Sequence, residues 1–293
     1  MARCKRTHTH NTIGNDQRTT KIKKISLSLL ALVVALIVGL NLWGALTLGH
    51  HTPEPGATRD AAANRVVLVT GATGSVGDGL LKAAMADDEV EKIYALTRRM
   101  SPRLEAGQAA GRVEVIMQAD FTDYSGLKEQ LAEVNTVLWG LGTTSIGMDP
   151  DLYRHIHVDF PIAFVEQWLA VRESGPMAFH YVTGVGTGED KDAQWAKDKG
   201  SAERRIAEMS AGTGLRSFGH RSAWIRPTSE NTNPGMLLGE WLLRPGYQVI
   251  RGIDLGRAML EISARTEELP TGVLIDNKDA IDYAAAYREY KGL

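Results

Sequence analysis

Apolar and polar residues fall into blocks along this chain, and the longest apolar block comes early. Residues 25–49 contain no charged side chain and include the run from Leu29 to Leu40, Leu-Leu-Ala-Leu-Val-Val-Ala-Leu-Ile-Val-Gly-Leu. About 20 apolar residues cross a bilayer core, so this pattern predicts a transmembrane helix over 25–48. No polar face interrupts the run, which argues against a soluble amphipathic helix. Beyond it, Thr52-Pro-Glu-Pro-Gly-Ala-Thr58 reads as a short stiff linker, within a connecting segment 49–63. From residue 64 onward short β-branched runs alternate with helical periodicity. Strands are predicted at 66–70, 92–97, 113–117, 136–139, 179–183, 216–225 and 273–275. Helices are predicted to about 86, then around 125–132, 152–173, 195–210, 253–264 and 280–290. Repeated strand–helix units imply a parallel sheet covered on both faces. The expected fold class is α/β, a doubly wound parallel-sheet Rossmann domain over 64–293, preceded by one N-terminal transmembrane helix.

Charge changes this picture at the N-terminus. Residues 1–24 carry seven Lys or Arg against the single Asp16, so the rest of the chain is net acidic, since the whole holds 33 basic and 35 acidic residues. An acidic domain without a basic face excludes a nucleic-acid partner. Positive residues stay on the cytoplasmic side of a span, which places the tail there and the globular domain across the membrane. That arrangement favours a single-pass protein of the endoplasmic reticulum or another secretory membrane. A cleaved signal peptide is the competing reading. The apolar run is longer than such a peptide needs, and Thr47-Leu48-Gly49 is a poor cleavage site. The one cysteine, Cys4, lies in the tail, so the globular part has neither disulfides nor thiolate metal sites. His50-His51 and His155-Ile-His157 lack the spacing and the carboxylates of a metal site, so no metal is expected.

Candidate chemistry starts at residues 66–77, Val-Val-Leu-Val-Thr-Gly-Ala-Thr-Gly-Ser-Val-Gly. A strand that turns tightly into a helix N-terminus aims unpaired backbone N–H groups and the positive helix end at one point, where a diphosphate binds. Gly71 allows the turn, Gly74 the approach of the pyrophosphate and Gly77 the close packing of helix on strand. Thr73, Ser75 and Val76 complete that backbone cradle. In NAD sites an acid about 20 residues past the turn holds the ribose 2′-hydroxyl. Here the second strand ends in Arg98-Arg99 with no acid nearby, a pair suited to a 2′-phosphate and hence to NADP(H). Asp120, before Phe121, either accepts from the adenine amino group or caps the segment that follows. The fourth strand ends Trp139-Gly140-Leu141-Gly142-Thr143-Thr144, where glycines let a ligand come close to the backbone.

The glycine turn, Arg98-Arg99, Asp120-Phe121, Leu141-Gly-Thr-Thr144 and Lys199-Gly200-x-x-Glu203, in that order, resemble the atypical short-chain dehydrogenase/reductase family. The similarity is to the branch of the Tat-interacting oxidoreductase-like proteins, with the NmrA-like regulators more distant. It spans nearly all of 64–293 and none of 1–60. The resemblance implies a Rossmann fold, NADP(H), and carbonyl reduction or alcohol oxidation. It also implies a catalytic set of Ser or Thr after the fifth strand and Tyr-x-x-x-Lys on the next helix. Carried over, the lysine is Lys199, which also holds the nicotinamide ribose, and the hydroxyl residue is Thr183. The tyrosine position is Trp195, whose indole has no acidity useful near neutral pH. Two functions remain in view: an oxidoreductase with another proton donor, or an NADP(H)-binding regulator with a protein partner. Residues 228–248, expected to cover a small-molecule substrate, carry no chemical signature.

Overall fold

The computed structural model describes residues 13–172 and 174–293, with side chains from Leu27 onward; Cys4 and the first basic residues of the tail lie outside the described residues. The first helix, α1, runs from Ile13 to Thr47, so the tail's second half is helical and continuous with the apolar block. Its segment Leu27–Thr47 is long and apolar enough to cross a membrane.

Strands β1 (Val66–Thr70), β2 (Lys92–Thr97), β3 (Val113–Met117) and β4 (Thr136–Trp139) have the bounds that the apolar pattern predicts. They alternate with α2 (Gly77–Ala86), α3 (Pro102–Ala109) and α4 (Lys128–Glu133). The predicted helix 152–173 is in fact three pieces: α5 (Pro150–Arg154), a π-turn at His155–Asp159 and α6 (Phe160–Val171). Pro161 is the cause. It has no N–H for the carbonyl of His157, and its ring crowds that carbonyl, so the helix widens there. The Tyr181 hydroxyl donates to the freed oxygen at 2.6 Å.

After β5 (Met177–Val182) come α7 (Gln194–Ser210) and β6 (Leu215–Arg221). The predicted strand 216–225 therefore stops short. Residues Trp224–Arg226 form a separate strand β7, and α8 (Pro234–Leu243) and β8 (Val249–Arg251), neither of them anticipated, follow. The chain ends with α9 (Gly252–Ala264), β9 (Val273–Asp276) and α10 (Asn277–Lys291). Seven parallel strands form one sheet in the order β3-β2-β1-β4-β5-β6-β9, while β7 and β8 pair in a small second sheet. Strand order reverses between β1 and β4, which opens a crevice at their carboxyl ends.

Helices α2, α9 and α10 bury one face of the sheet through Leu80, Leu255, Met259 and Tyr283. The other face holds Trp139, Phe164, Trp168 and Phe179, with ring centroids 5.4–6.0 Å apart. Beneath the first face His180 Nδ1 lies 2.8 Å from His220 Nε2, and His180 Nε2 lies 2.8 Å from Ser263 Oγ. Burial holds both imidazoles below their ordinary range, His220 down to about 3. An unfolded chain takes up protons at such histidines below about pH 6.5, so stability is complete above that value and falls as pH drops towards 3. Each such histidine contributes a slope of about 1.4 kcal/mol per pH unit. The melting temperature is expected to fall steadily from pH 6.5 to pH 5, and a constant value over that interval would contradict the reading.

Residues 49–60 do not hang free between α1 and the domain. The amide of Gly49 donates to Asp276 Oδ2 at 2.8 Å, and those of His50 and His51 donate to Asp279 Oδ1 at 2.7 and 2.8 Å. These two carboxylates are also the capping box of α10. Farther on, Arg59 Nε donates to the buried Glu261 at 3.1 Å, and Asp60 N donates to Ala264 O at 2.8 Å. The expected linker is a strap bound to the C-terminal helices.

Candidate functional site

Gly71 follows β1 with φ at +69°, and a Cβ there would lie 2.7 Å from Leu141 N at the end of β4. Leu141 N itself donates to Thr70 Oγ1 at 3.2 Å, which ties the two strand ends together. Gly77, at the start of α2, sits against Gly71, leaving no room for a side chain. Among the described residues the amides of Ser75, Val76 and Gly77 donate to no protein acceptor, whereas Gly74 N is spent on Gly71 O at 2.8 Å. Three free donors at a helix N-terminus form an anion cradle.

A cleft of about 320 Å³ opens beside this turn, lined among others by Gly71, Thr73, Gly74, Arg98, Arg99, Phe121, Leu141 and Gly142. Both arginines are exposed at its rim, and Arg99 Nε donates to Thr73 Oγ1 at 3.2 Å. Ser75 faces a neighbouring cleft of about 670 Å³, shared with Asp78, Pro227, Asn231 and Met236. Val76 packs on the hydrophobic core, contributing only its backbone. Asp120 has two readings from the sequence, adenine acceptor and cap. One of its oxygens accepts from both the Thr122 amide (2.8 Å) and hydroxyl (2.6 Å), so it caps its own turn.

Lys199 lies outside this cleft, on α7. Its Nζ donates to Thr183 O at 3.1 Å, and burial pushes the ammonium down to about 8 although Glu203 counteracts. The Thr183 hydroxyl turns away from a ligand-orienting role: it donates to Glu203 Oε1 at 2.7 Å, and Glu203 in turn holds Arg221 at 2.7 Å. That hydroxyl keeps only acceptor capacity. Trp195 stands half-buried one turn before Lys199, its ring beside Gly186 of the 183–188 loop.

The structure brings to this region Thr187 and Tyr153, which the sequence did not single out, and His157, which it weighed only as a metal ligand. Thr187, in the same loop, has a buried hydroxyl without a partner; its only signal was the repeated hydroxyl in Thr183-Gly-Val-Gly-Thr187. His157, on the π-turn, fits against Gly142, with Nε2 3.1 Å from the Thr143 amide. Burial, assisted by the Lys199 charge, lowers it to about 3, so it is a neutral imidazole. Tyr153 packs against it, the rings tilted by 35° with centroids 4.2 Å apart. Burial and the Asp198 charge raise Tyr153 to about 12, and burial raises Tyr181, whose proton already serves His157 O.

No protein-family model matches the chain. Among curated proteins it is 30% identical over 175 residues to the mitochondrial protein FMP52 of Eremothecium gossypii, covering 59% of this chain and 66% of that protein. It is 26% identical over 239 residues to the protein of the same name from Saccharomyces cerevisiae, covering 75% and 96%. The match to leucinostatins biosynthesis cluster protein T of Purpureocillium lilacinum, 27% identical over 146 residues, covers 49% of this chain and about half (51%) of that protein. Among solved structures, an oxidoreductase of the short-chain dehydrogenase/reductase family from Burkholderia thailandensis superposes with a TM-score of 0.56 at 18% identity, covering 78% and 97%. The Pseudomonas aeruginosa RhlG/NADP active-site complex gives 0.56 at 13%, covering 74% and 96%. A 3-oxoacyl-[acyl-carrier protein] reductase from Brucella melitensis in complex with NAD gives 0.51 at 16%, covering 75% and 97%. Sheet order, glycine turn and these superpositions agree: the chain has the Rossmann fold of the short-chain dehydrogenases/reductases.

Proposed function

We propose that this protein is a membrane-anchored, NADP(H)-binding oxidoreductase of the atypical short-chain dehydrogenase/reductase kind, acting on a carbonyl or alcohol. The observation that carries the cofactor assignment is the anion cradle of Ser75, Val76 and Gly77 next to a cleft rimmed by Arg98 and Arg99. The cradle amides would hold the diphosphate, the arginines the 2′-phosphate and Lys199 the nicotinamide ribose. When bound, the nicotinamide supplies or accepts hydride. The chain's own residues orient it, and Lys199, its ammonium pushed down to about 8 by burial, offers a cation that can be neutralised more easily than an ordinary lysine.

The Trp195 indole favours a second reading, a regulator that binds NADP(H) with little turnover, because no tyrosine is poised to exchange the proton. For membrane insertion the support is the apolar segment Leu27–Thr47. The mitochondrial names of two relatives lend nothing to the secretory membrane suggested by charge asymmetry, and they favour a mitochondrial one.

The test is cofactor titration of the full chain in detergent. Charge-assisted hydrogen bonds contribute about 1.5–3 kcal/mol, so NADPH is expected to bind roughly 10- to 150-fold more tightly than NADH. The double variant Arg98→Ala/Arg99→Ala should lose this preference. Equal dissociation constants in the unmodified protein at low salt would overturn the assignment.

A further inference from the structure

Helix α8 breaks the rule by which the other helices of the domain are built. Its sequence, Pro234-Gly-Met-Leu-Leu-Gly-Glu-Trp-Leu-Leu243, holds a single charge, yet none of its ten residues is buried. Glu240 is used inward, 2.5 Å from Arg226. Leu237, Leu238 and Trp241 remain 52, 58 and 71% exposed. Their spacing puts them on one face of the helix. Large apolar side chains gathered on one exposed face mark a surface that meets something other than water.

What meets it follows from the neighbouring element. The Asn41 side chain donates to Leu242 O at 2.9 Å, across from α1 to α8. One turn further along α1, Gly44 lies directly on Gly246 in the turn Arg244–Gly246 that follows α8. A Cβ on either glycine would overlap the backbone of the other segment. The contact is therefore backbone against backbone, and it sets where along α1 the domain sits. The 21-residue span Leu27–Thr47 is about 31 Å long at about 1.5 Å per residue. That matches a hydrocarbon core of about 30 Å, so with Thr47 at one boundary Gly44 and Asn41 lie about 5 and 9 Å inside it, the depth of about 5–10 Å to which an interfacial helix sinks its apolar face. Anything seated on them lies at the same depth. On α1 itself Leu42, Trp43 and Leu46 are 57, 45 and 82% exposed next to this junction. Tryptophan concentrates at that boundary, and both helices present one there. Arg244, exposed just past α8, has no acidic partner among the described residues and suits lipid phosphate.

We propose that α8 is an interfacial helix: its Leu237–Leu238–Trp241 face lies in the surface of the bilayer that α1 spans, fixing the domain flat against the lipid. The inference rests on the membrane-anchor reading. It goes beyond it by assigning a second, non-spanning contact. Met236, on the same helix, lines the cleft of about 670 Å³ shared with Ser75, so one wall of that cleft belongs to a lipid-contacting helix.

The test uses the full chain in vesicles of phosphatidylcholine and phosphatidylglycerol, with a nitroxide at one cysteine in a Cys4→Ser background. Leu238→Cys and Trp241→Cys report on α8, Leu36→Cys on the middle of α1, and Glu129→Cys, exposed on α4, on water. Collision with oxygen and with a water-soluble nickel chelate gives depth. At positions 238 and 241 the nickel signal is expected to be lost and oxygen collision gained, as at position 36 and opposite to position 129. Lipid-like values at 36 with water-like values at 238 and 241 overturn the interfacial helix and leave the anchor intact. Water-like values at 36 overturn the anchor itself. Low collision with both reagents at 238, with spin–spin broadening that grows with protein density, assigns the face to a second copy of the chain and overturns the proposal.

Discussion

Replacing Trp195 with tyrosine is expected to raise NADPH-dependent reduction of simple aldehydes about 100-fold over an almost inactive wild type. A positioned general acid contributes about 10²- to 10⁴-fold, and the lower end applies here. Lys199 already stands one helical turn away with its pKa near 8, so a tyrosine at 195 would have a cation beside it. The Thr183 hydroxyl, however, donates to Glu203 and cannot also donate to a substrate oxygen without turning. Trp195 is only half-buried, so the smaller ring leaves a shallow gap and a modest loss of stability. The measurement is kcat with NADPH affinity and folded fraction checked in both proteins. An ordinary wild-type turnover of about 10 s⁻¹ would show that the proton comes from elsewhere and would end the regulator reading.

The second large effect is expected at the turn itself. Gly71→Ala puts a side chain where φ is +69° and where backbone of Gly140 and Leu141 already stands, at 2.6 and 2.7 Å from the new carbon. Left-handed strain costs about 1–2 kcal/mol and overpacking about 1–3 kcal/mol. Together they lower the melting temperature by roughly 10 °C for a domain of this size. Because β1 and β4 must part to make room, NADPH binding should be lost as well. Gly212→Ala is the comparison: its φ is +74° but nothing lies within 4 Å, so it carries the strain alone. Equal melting temperatures and equal NADPH affinity in Gly71→Ala and Gly212→Ala would show that β1 and β4 do not meet at this turn.

Much of the sheet was readable because parallel strands buried on both faces are nearly continuous apolar runs. Val66–Thr70 and Lys92–Thr97 announce their own ends. The glycine turn was equally readable, since its function belongs to the backbone and glycine is the residue that permits it. What stayed hidden depends on partners distant in sequence. The π-turn at His155–Asp159 arises from Pro161, but its use as an acceptor needs Tyr181 from the next strand. The commitment of Thr183 to Glu203 needs α7 folded over β5. Helix α3 leaves no pattern in the sequence because only Leu104 and Gly107 are buried, too few to show a period. Helix α8 is illegible for the opposite reason: its apolar residues do not face the core, so no alternation of inside and outside is written into it.

If α1 spans a membrane as proposed, the strap over residues 49–60 bears on whether the domain could be released from it. A protease needs several residues drawn out in extended form, and exposed, unbonded backbone is where cutting concentrates. Here the amides of Gly49, His50 and His51 are held by the carboxylates that start α10, and Arg59 is clamped to Glu261 inside the domain. A nick in the stretch between them would leave both new ends bonded to the same body. Release by a single cut is therefore opposed by the same contacts that hold the domain to its helix.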